Sequence, residues 1–256
     1  NEKGTVNIAA NIDGVCSLFD TRFTRFQCLH GVGHGLLAYS DYDLPDSLEQ
    51  CKKLKDNFSQ ISCFGGVFME NILTGKGIGV GKGIGKAVHS TEWLNETDMH
   101  YPCNTADQDY AVQYQCYQMQ TSWILFLNNY NFDETVKECE KAPKLYRSVC
   151  FKSFGRDAGA HTLRNPQKIV ELCNKVPKTN GYYESCLDGA VNVVIDFWGT
   201  GLTNQGSEIC KLVSEDKKGI CYSFIMRRLL DIFKTYEDRV AICNTFEDKF
   251  RCSLSN

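Results

Sequence analysis

The sequence predicts an all-α fold: a superhelix of helical-hairpin repeats, or α-solenoid, with a period of about 35 residues and seven short-range disulfides. Its 14 cysteines alternate along the chain between short spacings of 9 to 13 residues and long spacings of 22 to 40 residues. The segments between them carry apolar residues at helical spacing and begin with helix-capping residues. This alternation indicates one helical-repeat domain over residues 1–256.

Composition argues against several classes of protein. The chain of 256 residues has a net charge of −3 and a pI near 6.0 without a long basic run, so nucleic acid is not an expected partner. No run of 18 apolar residues occurs, so no transmembrane segment is expected. The chain starts at Asn1 without a signal-peptide pattern, as expected of a processed mature chain or an excised ectodomain.

The cysteine count indicates an oxidising compartment. Fourteen is an even number and far exceeds the usual content of a reduced cytosolic protein. No CxxC pair occurs, which argues against zinc ribbons, thioredoxin-type redox sites and attached c-type haem. Two N-glycosylation sequons, at Asn57 and Asn95, also suit a protein that is secreted, periplasmic or displayed on the cell surface.

Cysteine spacing favours one of two neighbour pairings. Pairing across the long spacings leaves Cys16 and Cys252 without a partner and needs one 40-residue loop. Pairing across the short spacings uses every cysteine and gives seven similar loops. Loops of this size each contribute roughly 3 kcal/mol in the chain-entropy model. The predicted disulfides are Cys16–Cys28, Cys51–Cys63, Cys103–Cys116, Cys139–Cys150, Cys173–Cys186, Cys210–Cys221 and Cys243–Cys252.

Capping residues mark the helices that lead into each short spacing. Asn165 is an expected N-cap followed by Pro166 at the first helical position, and Asp46 and Asp133 are expected to cap two equivalent helices. Each helix runs through its cysteine into a short polar turn. These segments are therefore the second helices of the predicted hairpins.

The first helices of the hairpins can be aligned on their cysteines. The next residue is always large and apolar, and the third is small in four of six helices, including Gly31 and Gly66, which favours close helix contact. Positions two and six form a mostly polar column, which would line a groove in a stack of hairpins or else form an ordinary solvated face. Besides two histidines, the predicted groove residues are Gln118, Lys152, Arg156, Asp188, Asn192 and Arg227.

In its period, hairpin pattern and regular cysteines the chain resembles disulfide-stapled Sel1-like and tetratricopeptide-type helical repeat proteins. The resemblance covers nearly the whole chain. It implies a right-handed superhelix whose groove binds peptides or other ligands. The tetratricopeptide consensus of Trp, Leu-Gly and Tyr is absent, so no residue's role carries over.

The second repeat carries a glycine-rich insertion at about residues 74–100. Glycine occupies every other position from Gly75 to Gly85, which rules out a regular helix. The segment lacks the Lys-Ser/Thr ending of a P-loop and the strand-to-helix context of a dinucleotide site, so no nucleotide is expected. A mobile flap, or an extended segment along the groove, is the favoured interpretation.

The most unusual chemistry lies in Cys28-Leu-His-Gly-Val-Gly-His-Gly35. On a helix, His30 and His34 lie one turn apart on one face, where two imidazoles can share a metal ion or form a purely structural pair. Three glycines in a helix cost on the order of 2–3 kcal/mol relative to alanine, so a neighbouring backbone or ligand should approach closely unless the helix is irregular. Zinc, copper or iron would suit the predicted ligands, which are His30, His34, Glu70, His89 and His100.

Two functional hypotheses follow. The first is a secreted or cell-surface repeat protein that binds a peptide, protein or glycan in its groove and carries a histidine-based metal site near its N-terminal end. The second is a metal-dependent enzyme centred on His30, His34 and Glu70. Neither HExxH nor Gly-x-Ser-x-Gly occurs and the cysteines are expected to be paired, so an enzyme would have to work through its metal.

Overall fold

A computed structural model describes residues 11–77, 91–105, 109–198 and 205–246 of the chain. These residues form helices and no strand, which confirms the predicted all-α class. None of the described helices is long and apolar enough to cross a membrane. The first helix, α1, is described over residues 11–16. The others are α2 (Arg22–Tyr39), α3 (Leu44–Lys52), α4 (Asn57–Gly75), α5 (Tyr110–Leu127), α6 (Phe132–Lys141), α7 (Arg147–His161), α8 (Pro166–Cys173), α9 (Tyr182–Trp198), α10 (Gln205–Leu212), α11 (Glu215–Ile232) and α12 (Tyr236–Cys243).

The helices pack into two compact units, and the single repeat domain over residues 1–256 stays a prediction. The first unit contains α1 to α5 with the segment Ala142–Tyr146, and the second contains α6 to α12. In the first unit α4 is central and packs against α2, α3 and α5. In the second unit α9 is central and packs against α7, α8, α10 and α11.

Six of the seven predicted disulfides are present among the described residues. Their Cα–Cα distances lie between 5.4 and 5.7 Å, and five of them join one helix directly to the next. The seventh predicted bond, Cys243–Cys252, cannot be assigned because Cys252 lies outside the described residues. The six bonds are Cys16–Cys28, Cys51–Cys63, Cys103–Cys116, Cys139–Cys150, Cys173–Cys186 and Cys210–Cys221.

Short polar side chains set the helix starts. The Asn165 side chain accepts the Lys168 N–H and caps α8, with proline in the first turn as predicted. Asp56 caps α4 in the same way, and a hydrogen bond from the Ser59 N–H, together with the Arg25 guanidinium, holds the pKa of Asp56 down to about 2. This cap therefore stays ionised in mildly acidic solution.

Two predicted caps lie inside their helices instead of before them. The α3 helix is capped by Asp43, whose carboxylate accepts the Asp46 N–H at 2.9 Å. Pro45 fits the first turn because a residue there does not need to donate a backbone N–H within the helix. The helix can therefore include Pro45 and starts earlier than predicted. Likewise α6 begins at Phe132, and Asp133 lies in its first turn.

Glycine sets the close approach of α2 to α4. A Cβ atom on Gly66 would lie 1.9 Å from the carbonyl oxygen of His30, and one on Gly33 would lie 2.1 Å from that of Cys63. No side chain fits at either position. Gly31, which the sequence placed at such a contact, would have nothing within 4 Å of an added Cβ. The prediction for Gly31 is therefore wrong, because the inward face of α2 passes through Gly33.

The same arrangement occurs between α7 and α9 of the second unit. A Cβ on Gly155 would lie 1.9 Å from the carbonyl oxygen of Cys186, and one on Gly189 would lie 1.8 Å from that of Lys152. Gly155, like Gly33 in the first unit, follows its helix's cysteine by five residues, and Gly189, like Gly66, follows its cysteine by three. Two helix pairs thus use equivalent glycines for an equivalent contact.

The end of the glycine-rich insertion is packed onto the first unit. Residues 78–90, which contain most of the predicted flap, lie outside the described residues. Residues 91–105 are held by side chains of α4 and α5 that donate to their backbone carbonyls. These hydrogen bonds run from Asn71 to Trp93, from Gln120 to Met99 and from Trp123 to Asn95, at 3.0, 2.7 and 3.2 Å.

Candidate functional site

The two histidines lie side by side on α2. His30 and His34 are one turn apart on a regular helix, and their ring centroids are 5.1 Å apart with an interplanar angle of 69°. Phe26, one turn earlier, packs on His30 at 5.3 Å between centroids. Both imidazoles are half-buried, so they are partly shielded from water and still accessible to a small ligand.

Glu70 approaches this face from α4, as the sequence predicts. Its Oε2 atom lies 2.8 Å from Nδ1 of His34. The Glu70 side chain is 0% exposed and that of His34 is 22% exposed, so the pair lies at the inner edge of the surface. A carboxylate accepts hydrogen bonds, which assigns a proton to Nδ1 of His34. In the neutral ring the lone pair is then on Nε2.

Met69, the residue before Glu70, approaches His30. Its sulfur lies 3.4 Å from Nε2 of His30. Sequence reasoning did not assign a role to Met69, although it occupies the sixth position after Cys63, the same place in the polar column that His34 has on its own helix. The site therefore combines two imidazoles, a thioether and a buried carboxylate.

Gly65 of α4 lets His30 of α2 and Gln115 of α5 approach closely. An added Cβ there would lie 3.1 Å from Oε1 of Gln115 and 3.2 Å from Nδ1 of His30. An amide oxygen and an imidazole nitrogen therefore face the same small gap. Gln118, a predicted groove residue on α5, is half-buried in the same unit.

The other predicted ligands do not complete a metal centre of the expected kind. Within the described ranges, no three or more His, Cys, Asp or Glu side chains are grouped closely enough to hold a metal ion. His100 lies against Tyr117 at 5.9 Å between ring centroids, because the segment 91–105 is bound to α5. His89 lies outside the described residues.

In the second unit, the predicted groove residues converge on Asp188. Its carboxylate lies 3.0 Å from Nζ of Lys152, accepts a hydrogen bond from Asn192 at 3.0 Å and pairs with Arg227. Asp188 is only 7% exposed, whereas a solvated groove residue was expected. Arg156 pairs instead with its neighbour Asp157, at 2.8 Å. The polar column of this unit is thus an ion-pair network across α7, α9 and α11.

A second feature of the first unit is an aromatic cleft of about 220 Å³. Its lining includes Trp93, Tyr101 and Pro102 and the acidic side chains of Glu49 and Asp109. Burial, followed by the nearby charge of Glu92, raises the pKa of the Tyr101 hydroxyl, so this group stays protonated and able to donate a hydrogen bond. Aromatic rings beside polar groups are suited to sugars or peptide side chains.

No family model, curated protein or solved structure matches this chain. The asparagines of both predicted sequons are exposed, and Oδ1 of Asn95 accepts the Thr97 hydroxyl at 2.7 Å. Glycosylation at Asn57 and Asn95 stays a prediction.

Proposed function

We propose that this chain is a metal-binding protein of an oxidising compartment, in which His30 and His34 hold a transition metal such as zinc, copper or iron. The observation that carries the proposal is the 2.8 Å hydrogen bond between Nδ1 of His34 and the fully buried carboxylate of Glu70. Carboxylates commonly orient metal-binding histidines in this way, by fixing the tautomer and directing the other ring nitrogen to the metal.

The energetics of Glu70 favour a role beyond packing. Burying a carboxylate is costly unless hydrogen bonds and opposite charge compensate it. A neutral His34 supplies a hydrogen bond, whereas a metal cation on the same imidazole would also supply positive charge. The positive charge of a cation held by His34 would therefore stabilise this carboxylate further.

The six disulfides and the exposed sequon asparagines support a secreted, periplasmic or cell-surface location. The equivalent glycine contacts of α2 with α4 and of α7 with α9 support a repeat origin, and with it the proposed solenoid of Sel1-like or tetratricopeptide-like type.

A second candidate function is the recognition of a peptide, protein or glycan. The aromatic cleft around Trp93 and Tyr101 favours it. A Trp93→Ala variant that bound every ligand of the parent chain with the same affinity would contradict this use of the cleft. The metal-dependent enzyme is less favoured, because Glu70 is engaged by His34 and is not positioned as a third ligand.

Metal titration of the intact chain, purified without a histidine tag, tests the proposal. We expect one equivalent of metal to bind when Zn²⁺, Cu²⁺ and, without oxygen, Cu⁺ are each titrated, and His34→Ala to abolish that binding at micromolar metal. Glu70→Gln should weaken binding by about 10- to 100-fold, because the amide orients the imidazole less firmly. Binding should also weaken in acid, because a protonated imidazole has no lone pair for a metal.

His161→Ala is the matched control, since His161 is an exposed histidine of the second unit. It should leave calorimetric affinity and stoichiometry unchanged. Equal binding by His34→Ala and the parent chain, or no binding by the parent, would show that the histidine pair is structural.

A further inference from the structure

We infer that the metal is copper in its cuprous state, bound by His30, His34 and the thioether of Met69, with Glu70 as an outer partner of His34. This inference rests on the proposed metal site and names its ion. It also changes the predicted ligand set, because Met69 replaces Glu70 in direct contact with the ion.

The geometry of His30 and Met69 suits a shared ion. Nε2 of His30 and Sδ of Met69 lie 3.4 Å apart. Nitrogen and sulfur ligands at about 2.0 and 2.3 Å from one metal are separated by about 3.4 Å when the angle between them is near 105°. The observed separation of these two atoms therefore equals that of two ligands of one metal ion.

The third ligand comes from His34. Its Nδ1 is engaged by Glu70, so Nε2 is the nitrogen with a lone pair for a metal. The two rings are neighbours on one helix face, with centroids 5.1 Å apart. The resulting set of two nitrogens and one sulfur suits three-coordinate copper.

Ligand softness selects the ion. Thioether sulfur favours soft cuprous copper, whereas calcium and magnesium prefer oxygen and zinc is usually held by Cys, His, Asp or Glu. Across the described residues no three side chains of those four types form a group, so zinc would have only the two imidazoles here. Thiolate competition is also absent, because none of the described cysteines is free.

Charge supports the same assignment. A cuprous ion carries one positive charge, and Glu70, whose side chain is fully buried, supplies one negative charge when it is ionised. Opposite unit charges so near each other in a poorly hydrated region compensate one another. A divalent ion at the same place would leave one positive charge uncompensated by this carboxylate.

The second unit offers an internal comparison. The helices α7 and α9 make the same glycine contact, but the places of His30, His34, Met69 and Glu70 are taken by Lys152, Arg156, Asn192 and Val193. Close packing of such a helix pair therefore does not require two histidines and a methionine. Their presence between α2 and α4 indicates a ligand.

Anaerobic competition with a coloured cuprous chelator tests the inference on the full, disulfide-bonded chain. We expect one cuprous ion to bind and Met69→Leu to lose at least about 100-fold in cuprous affinity, since leucine keeps a similar volume but removes the sulfur ligand. X-ray absorption of the loaded parent chain should show one sulfur neighbour, and Met69→Leu should lose it. Met226→Leu, in the second unit, should behave as the parent chain.

The outcomes separate this inference from the function on which it rests. Unchanged cuprous affinity in Met69→Leu, with metal binding still abolished by His34→Ala, would overturn the copper assignment and leave the metal-binding function standing. Loss of zinc and cuprous binding to the same extent in Met69→Leu would also overturn it, because the change would then act through packing. Failure of every metal to bind the parent chain would overturn both.

Discussion

Gly66→Ala is expected to destabilise the first unit by about 3 kcal/mol, because the new methyl group meets backbone that cannot move aside easily. The added Cβ would lie 1.9 Å from the carbonyl oxygen of His30 and 3.1 Å from Cα of Gly33. Both atoms belong to the main chain of α2, so α2 and α4 would have to separate. Denaturant unfolding followed by circular dichroism should show a much lower midpoint or no folded baseline.

Gly31→Ala provides the control for helix propensity. It lies on the same helix as Gly33, but an added Cβ would have nothing within 4 Å. Alanine should therefore stabilise α2 by up to about 1 kcal/mol relative to glycine. Equal midpoints for the two alanine variants would contradict the packing role of Gly66.

Asp188→Ala is expected to cost about 2 kcal/mol of unfolding free energy in the second unit. Removing a buried carboxylate from an ion pair typically costs 3–5 kcal/mol when its partners stay buried. Here Lys152 and Arg227 would be left facing each other, but Arg227 is 56% exposed and can turn into solvent, which lowers the cost. The midpoint of chemical unfolding measures this loss.

Glu208→Ala is the matched control for an acidic residue of the same unit. Glu208 pairs with Lys211 at 2.7 Å, but the side chains are 48% and 43% exposed. Such a pair contributes at most about 0.5 kcal/mol, because water and salt screen it. An equally small loss of unfolding free energy for Asp188→Ala would contradict the structural role of its ion pairs. Asp188 would then be a solvated residue, as the sequence predicted.

The pairing of the cysteines could be predicted because it depends on short distances along the chain. Each described disulfide closes a loop of 11 to 13 residues, so the short connection between neighbouring segments determines which cysteines pair.

Helix starts were less predictable. Asp43 and Asp46 are both acceptable caps, and the choice between them depended on whether the turn could include Pro45.

Burial of the charged column could not be predicted from spacing. Asp188 and Asn192 were expected to line a groove or an ordinary solvated face, because they belong to a mostly polar column between apolar positions. Lys152 and Arg227 lie on two other helices and both form ion pairs with the Asp188 carboxylate. Only the packing of three helices brings those charges together.

The sequence by itself determined the helical class of the chain, the pairing of its described cysteines and the placement of His30 and His34 on one helix face. All three follow from the spacing of residues close together in the chain. Tertiary structure alone decided that Met69 meets His30 and that Glu70 meets His34. Those contacts depend on the distance and register between α2 and α4. Both quantities are set by main-chain contacts at Gly33 and Gly66, which join residues 30 or more positions apart in the chain. No local pattern in the sequence encodes such a register.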